Sequence, residues 1–225
     1  MMYIDHFSIS AKSFFDASMK LRDETGLGFY DGGFFGGGSA NRIFPLGNTT
    51  YLEIGGIVDA YAVHNGKIPK PWWYAKVAAA DECFTGLCMR VDTMEELQAI
   101  AKQKNVSVPK NPLVRTRPDG SELRAFPAPG AAETWPKGLP NWYLFENITR
   151  HPSGQPVFPW PGLVLPKGIA WVEVGGTEAE MTQWLGLPAS NFPFRFNGKA
   201  LGLYAIGVKS DKGEIVIRRK AVTEP

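Results

Sequence analysis

The stretch YIDHFSISAKSFFDASMKLRDET, residues 3–25, contains the unit on which the fold prediction rests. Its first part alternates apolar and polar residues as a strand does, and its second part has apolar residues at helical spacing. Ser13 lies between the two parts and is a candidate N-cap, because its hydroxyl can accept a hydrogen bond from an unpaired backbone N–H. The stretch therefore predicts a strand and a capped amphipathic helix over 14–24, with Gly26 and Gly28 ending the helix.

The same order of elements recurs twice along the chain. Each copy again has a strand, a capping residue and a helix. In the second copy these are 84–91, Asp92 or Thr93, and 94–104; in the third they are 168–174, Thr177, and a helix that ends near Gly186. A further helix is predicted over 72–81, between the first two copies.

Further strands follow each of the three helices. They are 41–46 and 49–57 after the glycine-rich residues 32–38, then 113–117, 121–127 and 141–146, and finally 194–196, 200–208 and 214–218. Arg117–Gly120, Asn197-Gly198 and Asp211–Gly213 separate neighbouring strands, and such residues are typical of hairpin turns. The sequence therefore predicts an α+β fold in which the pattern βαβββ occurs three times.

The composition limits the class of protein. The chain has 225 residues, of which 44% are hydrophobic and 20% charged, with a formal net charge of +2, values typical of a soluble globular protein. It has neither the basic stripe nor the reading module of a nucleic-acid binder. It also has no apolar stretch long enough to cross a bilayer, and its first residues lack the features of a signal peptide. We therefore expect a cytoplasmic protein that binds neither nucleic acid nor membranes.

Several kinds of site are disfavoured by what the sequence lacks. Cys83 and Cys88 lie on one predicted strand and should face opposite sides of it, so we expect buried thiols and no bridge between them. No serine elbow, Cys–His pairing or Walker motif is visible, which argues against nucleophilic catalysis and against a nucleotide cofactor.

The order of several short motifs resembles the glyoxalase-like branch of the vicinal-oxygen-chelate superfamily. The motifs are Ile4-Asp5-His6, Gly32-Gly33 with Gly38–Arg42, Thr50–Glu53, Arg115–Gly120, Leu139-Pro140 with Phe145-Glu146, and His151-Pro152. Each motif is weak alone; their order and spacing over most of the chain carry the resemblance.

The resemblance implies repeated βαβββ modules that form curved mixed sheets around a cleft. Residues 1–150 would form a paired domain, with modules at about 2–58 and 84–147, and residues 165–220 would form a third, divergent module packed on that domain. Members of this superfamily isomerise or cleave small molecules, open aromatic rings with oxygen, or sequester antibiotics. The implied partner is a small molecule, and a homodimer is expected because dimers are common in the superfamily.

The resemblance also implies a divalent metal held by the first and last strands of each module. His6 and Glu53 match these positions in the first module, and Glu146 matches the last strand of the second. The fourth ligand position falls on Thr85 or Gly86, and neither is a competent ligand. A site of His6, Glu53 and Glu146 would suit Mn²⁺, Fe²⁺, Zn²⁺ or Ni²⁺.

Two alternatives to this metal site stay open. Either His151 or Glu173 joins the site from outside the usual positions, or the site no longer binds metal. In the second case His6 would be a core histidine with backbone partners, and Glu53 and Glu146 would be ordinary exposed carboxylates. Their joint placement at module edges that should be neighbours in space favours His6 and Glu53 as ligands.

Three further residues are candidates for contact with a substrate. Asn41 follows the glycine-rich turn and could orient an oxygen of a ligand, or bond its own backbone. Arg115 shares a strand face with Arg117, and the two could clamp a carboxylate unless both are solvated. Trp142 is a candidate for the core or for the wall of the cleft. Phe34-Phe35 lie where relatives often carry a histidine, which suggests an apolar lid.

Two functions follow from these candidates. The first is a metal-dependent lyase, isomerase or dioxygenase acting on a small oxygenated molecule, in which the metal polarises a substrate oxygen and Glu146, if it is not a ligand, acts as general base. The second is a metal-free protein that binds or sequesters a small molecule in an aromatic cavity. The missing fourth ligand and the Phe34-Phe35 loop favour the second function. The resemblance favours the first, and we therefore expect the enzyme, with the binding protein as the alternative.

Overall fold

The structure is a computed structural model that describes residues 2–35, 37–47, 49–65, 82–146 and 151–224. The helix expected over 72–81 lies outside the described residues. No helix in these ranges is long and apolar enough to cross a membrane.

Thirteen strands and five α-helices are described. The strands are β1 (Tyr3–Ser10), β2 (Tyr30–Phe35), β3 (Ser39–Pro45), β4 (Tyr51–Ile57), β5 (Cys83–Arg90), β6 (Leu113–Thr116), β7 (Glu122–Pro127), β8 (Asn141–Glu146), β9 (Pro166–Val174), β10 (Phe194–Phe196), β11 (Leu203–Ser210), β12 (Gly213–Arg218) and β13 (Lys220–Ala221). The helices are α1 (Phe14–Thr25), α2 (Ala60–Asn65), α3 (Met94–Gln103), α4 (Ala131–Thr134) and α5 (Glu178–Leu185), with 3₁₀ turns at Trp135–Lys137, Pro152–Gly154 and Ala189–Asn191.

The helices begin where the capping residues predict. Ser13, Thr93 and Thr177 each accept a hydrogen bond from the backbone N–H three residues later. Thr177 forms a full capping box with Glu180, whose carboxylate accepts in return from the Thr177 backbone N–H at 2.8 Å. Helix α3, in the second module, is therefore capped by Thr93 and not by Asp92. This cap fixes the position of its module along the chain.

Two βαβββ modules close into one eight-stranded barrel. Its strand order is β1-β4-β3-β2-β6-β7-β8-β5, and β5 pairs with β1 to close the circle. The modules meet at two antiparallel contacts, β1 with β5 and β2 with β6, while the first and last strands within each module are parallel. This arrangement confirms the expected α+β fold of repeated modules curved around a cleft.

A second sheet of four strands follows, with the order β10-β9-β11-β12. Its elements also occur as βαβββ, but β9 lies between β10 and β11, so the pairing differs from that of the two barrel modules. The hairpin predicted at Asn197-Gly198 is therefore wrong. Asn197 instead accepts from the backbone N–H of Lys199 and donates to Glu173 of β9. Between β10 and β11 the chain crosses β9. The turns at 117–120 and 211–213 do join paired strands, as predicted.

The alternation of side chains separates an apolar layer from a polar interior. On β1, Phe7 and Ile9 belong to the apolar core together with Phe14 and Leu21 of α1. The intervening polar side chains of His6, Ser8 and Ser10 are also buried. Because they alternate with the core residues, they face the inside of the barrel. Cys83 and Cys88 are both buried and no disulfide joins them.

Candidate functional site

A cavity of about 60 Å³ opens inside the barrel between its two modules. Its volume is well below that of a typical ligand pocket, which suits a molecule of few atoms. Leu113 is half exposed and stands at its mouth. The lining residues are His6, Phe35, Tyr51, Glu53, Leu113, Arg115, Leu123, Ala125, Tyr143 and Phe145. Charged and aromatic side chains therefore share one small space.

His6 is oriented by its neighbour in sequence. The pairing of β1 with β5 shifts register between Ile4 and His6, and a bulge of this kind redirects adjacent side chains. Asp5 and His6 therefore contact each other, with 2.8 Å between Asp5 Oδ2 and His6 Nδ1. The imidazole also stacks on the ring of Tyr51, with 4.7 Å between centroids. These two contacts hold the plane of the His6 ring.

The charge of Asp5 decides which nitrogen of His6 carries the proton. Burial alone would raise the pKa of the Asp5 carboxyl, but hydrogen bonds from His151 and His6 outweigh it, and that pKa lies below its ordinary value. Asp5 is therefore ionised at neutral pH and only accepts hydrogen bonds. His6 Nδ1 must be the donor, so Nε2 of the neutral ring has a free lone pair.

Two more donors complete the environment of Asp5. His151 Nε2 lies 2.9 Å from Asp5 Oδ1, and Arg90 Nη1 lies 3.3 Å from the same oxygen. Nδ1 of His151 accepts from the backbone N–H of Ser153 at 3.2 Å, so the proton of the neutral ring is on Nε2. A fully buried carboxylate is thus compensated by three donors.

Glu53 is fixed by polar side chains of two neighbouring strands. Ser8 Oγ donates to Glu53 Oε1 at 2.6 Å, and Asn41 Nδ2 donates to Glu53 Oε2 at 2.7 Å. Both donors leave lone pairs on the carboxylate available to a ligand. Because His6 and Glu53 line the same cavity, the structure brings these two predicted residues together.

Asn41 links Glu53 to Arg115. Its Oδ1 accepts from Arg115 Nη1 at 3.3 Å, while its Nδ2 donates to Glu53. Asn41 is buried and does not line the cavity. Instead of the predicted contact with a ligand, Asn41 contacts and positions Glu53 and Arg115, which do line the cavity. A Cβ atom on Gly32 would lie 2.3 Å from Asn41 Oδ1, so the glycine-rich turn leaves room for this amide.

Tyr51 and Tyr143 form the aromatic walls beside His6. Burial, chiefly, raises the pKa of both hydroxyls well above the ordinary value. Both tyrosines are therefore neutral at physiological pH and can donate a hydrogen bond. Phe35 and Phe145 add apolar surface to the same cavity, and the exposed Phe34 next to it does not line it.

Glu146 does not reach this cavity. It lies at the end of β8 and its Oε2 accepts from Arg124 Nε at 2.8 Å, with a side chain that is 38% exposed. Phe145, one residue earlier, lines the cavity, and successive side chains of a strand point to opposite faces. This placement does not agree with the expectation that Glu146 is a metal ligand or, if not a ligand, the general base.

The register of the barrel explains that difference. Ser8 of β1 lies opposite Glu53, whereas Cys88, which stands before Thr93 as Ser8 stands before Ser13, lies opposite Asn141. The counterpart of Glu53 is therefore Asn141, not Glu146. By the same count the counterpart of His6 is Gly86.

The indole of Trp135 fills the place of this second half-site. A Cβ atom on Gly86 would lie 2.3 Å from Trp135 Cε2, and Trp135 Nε1 donates to Asn141 Oδ1 at 3.2 Å. The second module therefore has a glycine and an asparagine at the positions equivalent to His6 and Glu53.

Four other predicted residues lie elsewhere or play a different part. Trp142 is fully buried in the apolar core and packs on Trp184, because it faces outward from the barrel while Tyr143 faces inward. Glu173 belongs to the second sheet and pairs with Arg218 at 2.9 Å. His151 does join the site, but through Asp5. Arg117 does not line the cavity.

A metal site of the expected kind is not assembled by the described residues. None of their His, Cys, Asp and Glu side chains form a group of three or more that could hold a metal ion. His6 and Glu53 are two donors, and protein sites for zinc commonly use three or four. The donor set therefore does not fit the metal that the resemblance implies.

Comparisons with known proteins agree with the observed fold. The model of a glyoxalase-like domain family matches residues 4–186. A hypothetical protein from Staphylococcus aureus has a similar structure, with a TM-score of 0.60 over 92% of this chain and 90% of its own, at 13% identity. Methylmalonyl-CoA epimerases from Mycobacterium tuberculosis and Streptomyces coelicolor match with TM-scores of 0.45 at 13% and 16% identity, over 64% and 65% of this chain and 87% and 96% of theirs. Those two similarities are too low to carry an argument about activity. No curated protein matches the sequence.

Proposed function

Because the chain belongs to the glyoxalase-like domain family of the vicinal-oxygen-chelate superfamily, we propose that it is an enzyme that moves a proton on a small oxygenated molecule. The reaction is an isomerisation that begins at a carbon next to a carbonyl group. The contact of Asp5 with His6 Nδ1 carries this proposal, since it leaves His6 Nε2 as a base.

His6 acts as the general base. The proton leaves the substrate carbon for His6 Nε2, and the electron pair of the broken C–H bond moves to the carbonyl oxygen as an enolate forms. The buried Asp5 carboxylate stabilises the imidazolium and keeps the ring in one tautomer, as in other carboxylate–histidine pairs. Return of the proton to a neighbouring carbon gives the isomer, whereas return to the same carbon regenerates the substrate and appears only as hydrogen exchange with solvent.

Other groups of the cavity support the charge changes of this step. Tyr51 and Tyr143 remain protonated and can donate to the developing oxyanion. Glu53, held by Ser8 and Asn41, is a second group that can accept or return a proton. The proposed steps use side chains alone, because the His, Cys, Asp and Glu residues in the described part of the chain do not form a group that fits a metal.

A metal-free binding protein is the second candidate. The four aromatic side chains that line the cavity, Phe35, Tyr51, Tyr143 and Phe145, favour it. In that case a ligand would bind without chemical change, and His6 would serve as a hydrogen-bonding wall of the cavity.

Exchange of carbon-bound hydrogen with solvent deuterium distinguishes the two. We would incubate the protein in D₂O with small aldehydes, ketones and 2-oxo acids and follow loss of the α-hydrogen signal by NMR. His6→Gln should lower the exchange rate of any active compound by about 100-fold or more, because general bases contribute that much. His64→Gln, an exposed histidine of α2, is the matched control and should keep the wild-type rate. Exchange that persists in His6→Gln would refute the proposal.

A further inference from the structure

We infer that Arg115 is a carboxylate-binding residue, so that the substrate of this cavity is a small organic acid. The inference rests on the proposed function only in placing the substrate in the same cavity. What carries it is a buried guanidinium edge that has no hydrogen-bond partner among the described residues: the Nε and Nη2 atoms of Arg115.

The free edge has the geometry that a carboxylate needs. Nη1 of Arg115 is held by Asn41 Oδ1 at 3.3 Å, which leaves Nε and Nη2 on one side of the planar group. Their two N–H bonds point in the same direction and match the two oxygens of a carboxylate in a bidentate pair. Inorganic phosphate shares this chemistry, so its effect is measured beside that of a carboxylate.

Burial makes a missing partner costly. Arg115 is 3% exposed, yet it lines the cavity. A buried cation without full pairing is unfavourable, so an anion that reaches the free edge gains a charged hydrogen-bond pair that the described residues do not supply. Glu53 compensates part of the charge through Asn41, and it does not contact the free edge directly.

The placement of Arg115 opposite the base also suits the reaction. Arg115 and His6 line the same cavity from strands of different modules, β6 and β1. A carboxylate bound at Arg115 would fix one end of the acid while a carbon close to that carboxylate meets His6. Arg115 would thus determine which molecules bind, and His6 which bond breaks.

The test compares an acid with its neutral amide. We would measure the rise of the thermal unfolding midpoint with increasing pyruvate, pyruvamide and inorganic phosphate. We expect saturable stabilisation by pyruvate, little by pyruvamide, and a tenfold or greater loss of apparent affinity for pyruvate in Arg115→Lys, which keeps the charge and loses the fork. Arg115→Met should lose the response entirely. Arg124→Met removes an exposed arginine outside the cavity and should keep the wild-type response.

Three outcomes would overturn the inference. They are equal stabilisation by pyruvamide, a pyruvate response that persists in Arg115→Met, and a stronger response to phosphate than to pyruvate. The ligand-free proteins give a second readout. The unfolding midpoint of ligand-free Arg115→Met reports whether the variant is folded, so that its lost response can be assigned to the missing guanidinium.

The proposed function and this inference fail separately. His6→Gln should still bind pyruvate while it loses hydrogen exchange. Binding without exchange in the wild type would refute the proposed reaction and keep the carboxylate site. Hydrogen exchange of neutral ketones, without any stabilisation of the protein by organic acids, would keep the proposed reaction and refute the carboxylate site.

Discussion

At the level of single residues, Asp5 has the largest effect on the site although it lies outside the cavity. It is fully buried and accepts from His6, His151 and Arg90. Each of these donors comes from a different part of the chain, so one carboxylate fixes the base and joins three segments. A buried carboxylate of this kind stabilises the fold only while it is ionised.

Asp5 should therefore make stability depend on pH. Its pKa in the folded protein lies below the ordinary value of 3.8, so its contribution is present above that value and is lost as the pH falls through the folded pKa. We expect Asp5→Asn to cost about 1–3 kcal/mol at neutral pH, because the donors lose a charged acceptor. That cost should shrink as the pH is lowered to about 3.

Urea unfolding at several pH values measures this effect. Asp16→Asn, at an exposed position of α1, is the control and should show little pH-dependent difference from wild type. A constant cost of Asp5→Asn across the pH range would show that the ionisation of Asp5 does not support the fold.

The sequence could indicate His6 and Glu53 but not Asp5. His6 and Glu53 follow from their positions on the first and last strands of a module. Regular alternation places Asp5 on the face opposite His6, and the bulge at this point of β1 is a feature of pairing with β5 that no local pattern reveals. The orphaned edge of Arg115 likewise depends on tertiary contacts, although its strand position marked it as a candidate.

At the level of elements, the second module differs from the first through one pair of residues. Gly86 on β5 lies against the indole of Trp135 in the 3₁₀ turn after α4. Trp135 in turn donates to Asn141 at the start of β8. This contact ties three elements of the module together and excludes a side chain from the position equivalent to His6.

A methyl group at this contact should be costly. We expect Gly86→Ala to destabilise the protein by about 1–3 kcal/mol, as overpacking of a filled core does. In a Trp135→Leu background the same substitution should cost much less, because the ring atoms nearest to Gly86 are gone. Chemical denaturation of the four proteins of this cycle gives the coupling energy. Additive effects would show that Gly86 and Trp135 do not restrict each other.

The position of Glu146 also depends on how elements pair. The sequence places it on the last strand of the second module, and strand β8 does span Asn141–Glu146. Which residue of β8 faces the cavity depends on the register between β5 and β8, and a shift of one residue changes the face. The equivalent residues of the two modules can be counted back from their helix caps. That count requires knowing that Thr93, and not Asp92, is the cap of the second module.

At the level of the whole molecule, the family and the class of fold could be predicted from the order of motifs. The paired modules form curved mixed sheets around a cleft, as the resemblance implies, and the pairing of β1 with β5 closes these sheets into a barrel. The pairing within the second sheet could not be predicted, since a local turn signal such as Asn197-Gly198 does not specify which strand lies alongside. Long-range contacts decide that choice.

The whole protein should work without a bound divalent metal. Prolonged treatment with a chelator followed by desalting should leave hydrogen exchange within about twofold of the untreated rate, since the cavity offers two protein donors where metal sites commonly have three or more. Metal analysis before and after treatment is the accompanying measurement. An activity that is lost with the chelator and restored by Mn²⁺, Fe²⁺, Zn²⁺ or Ni²⁺ would contradict the acid–base reaction proposed for His6.

The indole of Trp135 has a consequence for stereochemistry. If the two modules were equivalent, a molecule could bind in the barrel in two orientations related by a twofold axis. A base could then meet either face of a planar enolate. With one half-site filled, His6 approaches from one side only. A proton that His6 removes and returns would therefore stay on one face of the planar intermediate, so a new stereocentre at the neighbouring carbon would form in one configuration.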